Sequence, residues 1–216
     1  MTPDIDLRER AELCDLFDAL GPDAPTLCGD WTTADLAAHL VVRERDPVAL
    51  PGILLGGRFE GLAEKAMARE LEGRGYEAVV ERVRRGPPPG PTALRPVGRL
   101  TNTIEFVVHH EDVRRPAGQG PRPDDAALQD AVWDLLGRGG RLLAARARLG
   151  GAGLTLVRPG SEPVVAHRAG DLGTATLTGD PVEVLLHLYG RPQVAEAELG
   201  GDPAAVARVG GASFGI

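Results

Sequence analysis

The pattern of apolar residues changes once along the chain, at Gly150-Gly-Ala-Gly153. Before this point apolar side chains recur at helical spacing, and after it come short β-type runs bounded by Gly, Pro or Asp. The change predicts the α+β class, with a helical domain over residues 1–150 and a smaller α+β domain over residues 151–216. A chain of 216 residues is long enough to bury a sizeable core.

Glycines and prolines divide the first domain into helical segments. Helices are predicted over residues 5–20, from Thr32 to Pro47, over 59–85 with a break at Gly73-Arg-Gly75, over 101–116, and over 124–149. Thr32 and Asp35 have the spacing of a capping box, which marks the start of the second helix. Residues 86–91 are almost entirely Pro and Gly, and they predict a polyproline spacer.

The second domain alternates strand and helix signals. Strands are predicted over residues 154–157, 163–167 and 174–177. The next segment has Asp180 in the N-cap position, Pro181 in the first helical position and Glu183 in the third, so it predicts the start of a helix. That helix is expected to end at Gly190-Arg191.

The segment 101–116 carries the strongest chemical signal of the sequence. Thr101 or Thr103 is a candidate cap, and Glu105 and His109 lie four residues apart, so they share one face of the predicted helix. A carboxylate and an imidazole on one face are two ligands for a divalent metal ion. Asp112 is on the same stripe, where it is either a partner that orients a metal-binding histidine or a solvated helix charge.

A third ligand must come from another part of the chain. His39 lies on the border of the apolar face of the second helix, where a lone histidine is more often a hydrogen-bonded structural residue than a ligand. The Glu105 and His109 pair makes it the natural third ligand. Cys28, in the preceding loop, is an outside candidate, whereas Cys14 lies on an apolar stripe and is expected in the core.

Composition excludes several function classes. The net charge of −7 offers no basic surplus for nonspecific nucleic-acid binding. No apolar run approaches the roughly 20 residues of a membrane span, and the N-terminus has neither the basic start nor the apolar core of a signal peptide. Two cysteines do not make a disulfide framework. We therefore expect a cytoplasmic location.

The segments around the three candidate ligands resemble a known family. Trp31-x-x-x-Asp35-Leu-x-x-His39-Leu followed by Glu105-x-x-x-His109 is similar to the DinB-like four-helix metal proteins, and more narrowly to the mycothiol-dependent maleylpyruvate isomerase family of actinobacteria. Leu185-Leu-His-Leu-Tyr-Gly-Arg191 resembles the end of that family's C-terminal helix. The resemblance implies a DinB-like four-helix bundle in which His39, Glu105 and His109 hold the metal.

The resemblance also implies a function. The chain would be a metal-binding protein, with zinc as the first choice of ion, that uses mycothiol or another low-molecular-weight thiol as cosubstrate in an isomerase or S-transferase reaction on a small electrophile. Arg191 is the candidate catalytic residue for holding an anionic substrate or thiol, with His187 beside it; the alternative is that Arg191 caps its helix. Two other hypotheses stay open, a non-catalytic metal-binding protein and a metal-free buried polar cluster.

Overall fold

The computed structural model describes residues 4–46, 60–88, 96–212 and 214. The chain forms two compact units, which we call the helical unit (Asp4–Gly120) and the sheet unit (Pro121–Gly215). The helical unit contains α1 (Ile5–Leu20), α2 (Thr33–Arg45), α3 (Glu60–Arg74), α4 (Tyr76–Arg85) and α5 (Pro96–Arg114). The sheet unit contains α6 (Ala126–Arg146), β1 (Gly153–Val157), β2 (Val164–His167), β3 (Thr174–Thr178), α7 (Pro181–Leu188), β4 (Glu198–Gly201) and α8 (Pro203–Gly210). The α+β class is confirmed.

The start of α2 follows from its local sequence. The hydroxyl of Thr32 accepts a hydrogen bond from the amide of Asp35, and the Asp35 carboxylate accepts one from the amide of Thr32 at 2.9 Å. The predicted capping box is therefore confirmed. Arg43 and Arg45 lie in the last turn, where positive charge is favoured by the helix dipole.

The breaks between the next helices also match the sequence, with one exception. Gly75 adopts a φ of 80° between α3 and α4, a conformation open to glycine, so the predicted break is confirmed. Helix α5 begins at Pro96, so Thr101 and Thr103 lie inside it and neither is its N-cap. Residues 89–91 of the predicted polyproline spacer at 86–91 lie outside the described residues.

The helices of the helical unit pack around one apolar cluster. Helix α1 contacts α4 and α5, and α2 contacts α3 and α4. The largest fully buried side chains of this cluster are Leu13, Phe17, Leu36, Leu40 and Phe106. Cys14 belongs to the same cluster, as the sequence predicted.

The sheet unit is built on a four-stranded sheet in the order β2-β1-β3-β4. Strand β1 pairs with β3 in parallel, and the two outer pairings are antiparallel. The three predicted strands are confirmed, but β4 and α8 were not predicted. Strand β4 has the sequence Glu-Leu-Gly-Gly, which carries no strand periodicity, and its place is set by pairing with β3.

Helix α6 packs against β2 and α7, so it belongs to the sheet unit. Its apolar side chains Leu128, Val132 and Leu136 are buried there. The predicted assignment of residues 124–149 to the helical domain is therefore corrected, and the boundary lies between Gly120 and Pro121 instead of at residue 150. Helical periodicity identifies an apolar face but does not say which domain covers it.

The predicted start of α7 is confirmed. Asp180 is the N-cap residue and Pro181 occupies the first turn, but no side-chain cap hydrogen bond forms. The carboxylate of Glu183 instead accepts a hydrogen bond from the amide of Glu196 at 2.9 Å. In the described part of the chain, no helix has both the length and the hydropathy needed to cross a membrane.

Candidate metal centre

Three of the predicted site residues converge in the helical unit. His39 lies in the middle of α2, and Glu105 and His109 lie one turn apart on α5. One ligand atom from each of them lies within 4.8 Å of the others. The two imidazole rings meet edge to face, with their centroids 5.3 Å apart. Only 8% of His39 and 7% of Glu105 is exposed, so water would compete little with these side chains for a bound ion.

Apolar neighbours hold these side chains in place. Leu36 and Leu40, on either side of His39, are fully buried, and so is Phe106 next to Glu105. Trp31 packs its indole against the His39 ring at a centroid distance of 5.2 Å. The helical spacing therefore places the polar groups on the border of packed apolar faces, where their orientations are restricted.

The Nε2 edge of His109 faces the candidate ligands. This nitrogen lies 3.3 Å from Oε2 of Glu105, and the same carboxylate oxygen lies 3.3 Å from Nε of Arg43. Arg43 also donates from Nη1 to the side-chain oxygen of Asn102 at 3.0 Å. Arg43 was not predicted as a site residue. The signal was present, because Arg43 follows His39 by four residues and so lies on the same face of the helix.

The Nδ1 edge of His109 faces a different set of residues. Oδ2 of Asp112 lies 2.9 Å from Nδ1, and Asp112 is fully buried. Asp112 therefore orients His109, which is the first of its two predicted roles. Sγ of Cys28 lies 3.1 Å from the same carboxylate oxygen and 3.9 Å from Nδ1. Cys28 and Asp112 thus approach the ring from the edge opposite to Glu105.

Burial and charge shift the pKa values of all three candidate ligands in the metal-free protein. Burial, helped by the neighbouring His109, lowers the pKa of His39 to about 3. Burial alone would raise the pKa of Glu105, but the His109 hydrogen bond and the Arg43 charge outweigh it and lower that pKa to about 2. Burial also opposes the charged form of His109, yet its hydrogen bonds with Asp112, Cys28 and Glu105 raise its pKa well above 6.5.

The donor set fits a divalent metal ion. Two imidazoles and one carboxylate are the ligands of open catalytic zinc sites. His39 is already neutral and Glu105 is already ionised, so only the Nε2 proton of His109 must leave before an ion binds. Among the described residues, no fourth His, Cys, Asp or Glu supplies a ligand atom to this group. A bound ion would keep at least one coordination position for another ligand.

The remaining candidates lie elsewhere. His110 points to α1, where its Nδ1 lies 2.9 Å from the buried carboxylate of Glu9. Arg191 lies in the sheet unit and donates to the carbonyl of Tyr189, the C-cap residue of α7. This contact matches the capping alternative, and a substrate-binding role for Arg191 stays a prediction. His187, also in the sheet unit, is half-buried and its pKa is lowered by burial.

Comparison with solved structures identifies the fold. The crystal structure of the mycothiol-dependent maleylpyruvate isomerase aligns with a TM-score of 0.56 and 13% identity, covering 92% of this chain and 91% of that chain. A histidine-to-alanine mutant of the same enzyme aligns with a TM-score of 0.55 and 13% identity, covering 92% and 93%.

The chain has the fold of the mycothiol-dependent maleylpyruvate isomerase. The resemblance predicted from the sequence is thereby confirmed at the level of the fold. No family model matches the sequence, and no curated protein matches it. The fold therefore leaves the reaction and the substrate to be argued from the site itself.

Proposed function

We propose that this chain is a metal-dependent, thiol-using enzyme, an isomerase or an S-transferase that acts on a small electrophilic substrate. The observation that carries the proposal is the convergence of ligand atoms from His39, Glu105 and His109 within 4.8 Å. The fold shared with a mycothiol-dependent isomerase supports it. Zinc is the first choice of ion, because two imidazoles and a carboxylate with an open position are its usual catalytic ligands.

A bound divalent ion would lower the pKa of a coordinated thiol and so supply a thiolate nucleophile at neutral pH. The residues of the chain prepare the site for this. Asp112 accepts a hydrogen bond from the Nδ1–H of His109, and a neutral His109 in this tautomer has its lone pair on Nε2, available to the ion. Arg43 holds the carboxylate of Glu105, and Trp31 holds the ring of His39. Because these contacts already restrict the three side chains, less conformational entropy would be lost when an ion binds.

The proposal assigns mycothiol, or another low-molecular-weight thiol, as the cosubstrate. Arg191 is the proposed group for an anionic substrate, because a guanidinium binds a carboxylate through two parallel hydrogen bonds. A cytoplasmic location is part of the same proposal, and it agrees with Cys14 and Cys28 being thiols.

The alternative is a metal-binding protein without catalysis, in a structural or regulatory role. Such a site is usually closed by a fourth protein ligand. Cys28 and Asp112 have ligand-type atoms beside His109, but both face the Nδ1 edge of its ring instead of the Nε2 edge. This arrangement favours the open site and hence the enzyme.

Metal content is the first test. Protein purified without chelator should contain about one equivalent of divalent metal by elemental analysis, and His39→Ala should lose most of it. His187→Ala is the matched control, because it removes a half-buried histidine outside every candidate ligand group. Full occupancy in His39→Ala that also carries Cys28→Ser would exclude this ligand set.

Thiol binding is the second test. In cobalt-substituted protein carrying Cys28→Ser, so that no site cysteine contributes, addition of mycothiol or an analogue should produce a sulfur-to-cobalt charge-transfer band. His39→Ala in the same background should abolish the band. Normal metal content with no band from any low-molecular-weight thiol would favour the non-catalytic alternative.

A further inference from the structure

The Nδ1 edge of His109 carries a second set of metal-ligand atoms. Sγ of Cys28, Nδ1 of His109 and a carboxylate oxygen of Asp112 all lie within 4.8 Å of one another. The proposed function uses Asp112 only to orient the ring and gives Cys28 no role. Thiolate, imidazole and carboxylate together form a ligand set for a thiophilic divalent ion, with thiolate as the selective member.

The loop that carries Cys28 is held against α5 by backbone contacts. The amide of Leu27 donates to the carbonyl of Asp112 at 3.0 Å. The amide of Trp31 donates to the carbonyl of Cys28 at 3.2 Å and closes a tight turn, in which Gly29 has a φ of 63°. The Thr26 hydroxyl accepts from the amide of Cys28 at 3.1 Å. The sulfur is therefore placed by the fold, and Cys28 is partly exposed, which gives an ion access.

We propose that Cys28, Asp112 and Nδ1 of His109 form a second site, specific for thiophilic metal ions, that shares its imidazole with the first ligand group. Binding there releases the Cys28 thiol proton and the Nδ1 proton to solvent, while the Nε2 proton stays hydrogen-bonded to Glu105. The first ligand group needs the opposite tautomer, with the proton on Nδ1.

The two sites are therefore alternatives, because one neutral imidazole offers a lone pair on only one nitrogen at a time. A thiophilic ion on the Nδ1 edge would keep the first ligand group empty. Only this exclusion rests on the proposed function, since the second ligand set consists of Cys28, Asp112 and His109 alone.

Cadmium is the probe, because it binds thiolate and reports it by an ultraviolet sulfur-to-cadmium charge-transfer band. Titration of metal-free, full-length protein without added thiol should give the band, complete at one equivalent. Cys28→Ser should abolish it. Cys14→Ala is the matched control, since Cys14 is buried in the apolar cluster and belongs to none of the candidate ligand groups, and it should retain the full band. His39→Ala should also retain it. Circular dichroism checks that each variant is folded.

The competing arrangements give different results. No band in the wild-type protein would overturn the second site. A band lost in His39→Ala would mean that Cys28 closes the first ligand group around a single ion, which also overturns it. Zinc added to the cadmium form should replace cadmium one for one in equilibrium dialysis, and two ions bound per chain would overturn the exclusion. Failure of the proposed function gives a separate signature: a normal cadmium band in a protein that is purified without metal.

Discussion

The two units of the chain have different interiors. The helical unit buries many ionisable side chains, which are Glu9, Arg10, His39, Glu105, His110, Glu111 and Asp112. Among the described residues of the sheet unit, one ionisable side chain is buried, that of Glu183, together with the amide of Gln129. The core of the sheet unit is otherwise formed by apolar side chains such as Leu154, Leu156, Leu177 and Leu185.

The buried polar groups also have different partners in the two units. In the sheet unit, Gln129 and Glu183 bind backbone groups, with Gln129 accepting from the amide of Val182 at 3.1 Å. In the helical unit, charged side chains bind each other between helices, as Arg10 does with Glu44. Buried ion pairs contribute little net stability, because desolvation offsets their attraction. Buried polar groups of the sheet unit therefore bind the backbone, whereas those of the helical unit bind other side chains, in the candidate metal centre and outside it.

The largest expected effect comes from breaking a buried pair. The guanidinium of Arg10 (α1) lies 2.9 Å from Oε2 of Glu44 (α2), 2.7 Å from the carbonyl of Val83 (α4) and 4.1 Å from the ring centroid of Phe106 (α5). Arg10→Ala leaves the Glu44 charge buried and unpaired, so the free energy of unfolding should fall by about 3–5 kcal/mol. Denaturant unfolding followed by Trp31 fluorescence, in a Trp133→Phe background, measures this in the helical unit.

A double variant separates the lost pair from the lost packing. Arg10→Met with Glu44→Leu removes both charges, and it should recover most of the stability that Arg10→Ala loses. A loss below about 1 kcal/mol in Arg10→Ala would show that Glu44 is not held by this arginine.

The next effect concerns the apolar core of the sheet unit. Leu185 is fully buried in α7, and Leu185→Ala should lower the free energy of unfolding by about 3 kcal/mol, because it removes buried methyl groups and leaves a cavity. Trp133 fluorescence in a Trp31→Phe background measures it. Glu183→Gln should cost less, since glutamine keeps an acceptor for the amide of Glu196. A larger cost for Glu183→Gln would contradict the view that this unit depends on apolar packing.

Acidification of the metal-free protein should lower the stability of the helical unit. The pKa of His39 is about 3 in the folded protein and 6.5 ordinarily, so between these values the unfolded chain binds more protons and stability falls as the pH drops. The raised pKa of His109 acts above pH 6.5 and the lowered pKa of Glu105 acts below pH 4.5, so the slope between pH 4.5 and 6.5 is the one that reports on His39. His39→Gln should flatten the slope seen by Trp31, whereas His187→Gln should leave that slope unchanged. An equal slope in wild-type protein and His39→Gln would remove His39 as its cause.

The smallest expected effects come from surface ion pairs, and here the two units should behave alike. Arg84 pairs with the exposed Asp15 in the helical unit, and Arg158 pairs with the exposed Asp130 in the sheet unit. Arg84→Ala and Arg158→Ala should each cost no more than about 1 kcal/mol, and less at high salt. A cost for Arg84→Ala close to that of Arg10→Ala would show that charge in general, and not buried charge, distinguishes the helical unit.

Local features of the chain were predictable because neighbours in sequence determine them. The capping box of Thr32 and Asp35 depends on residues three apart, and the shared face of Glu105 and His109 depends on one helical turn. The strands β1, β2 and β3 were predicted from β-type runs between turn residues. The cap of α5 was placed wrongly, because the helix starts in a segment rich in Pro and Gly where the local signal is weak.

The features that were not predictable depend on which surfaces meet. Helical spacing placed Glu105 and His109 on one face, but only the packing of α2 and the loop before it decided that Arg43 lies against Glu105 and Cys28 against the opposite edge of the ring. The same holds for α6, whose apolar stripe was visible in the sequence while its partners β2 and α7 were not. A sequence determines which face of an element is apolar or polar through local geometry, whereas contacts between distant segments depend on how all the faces are covered together.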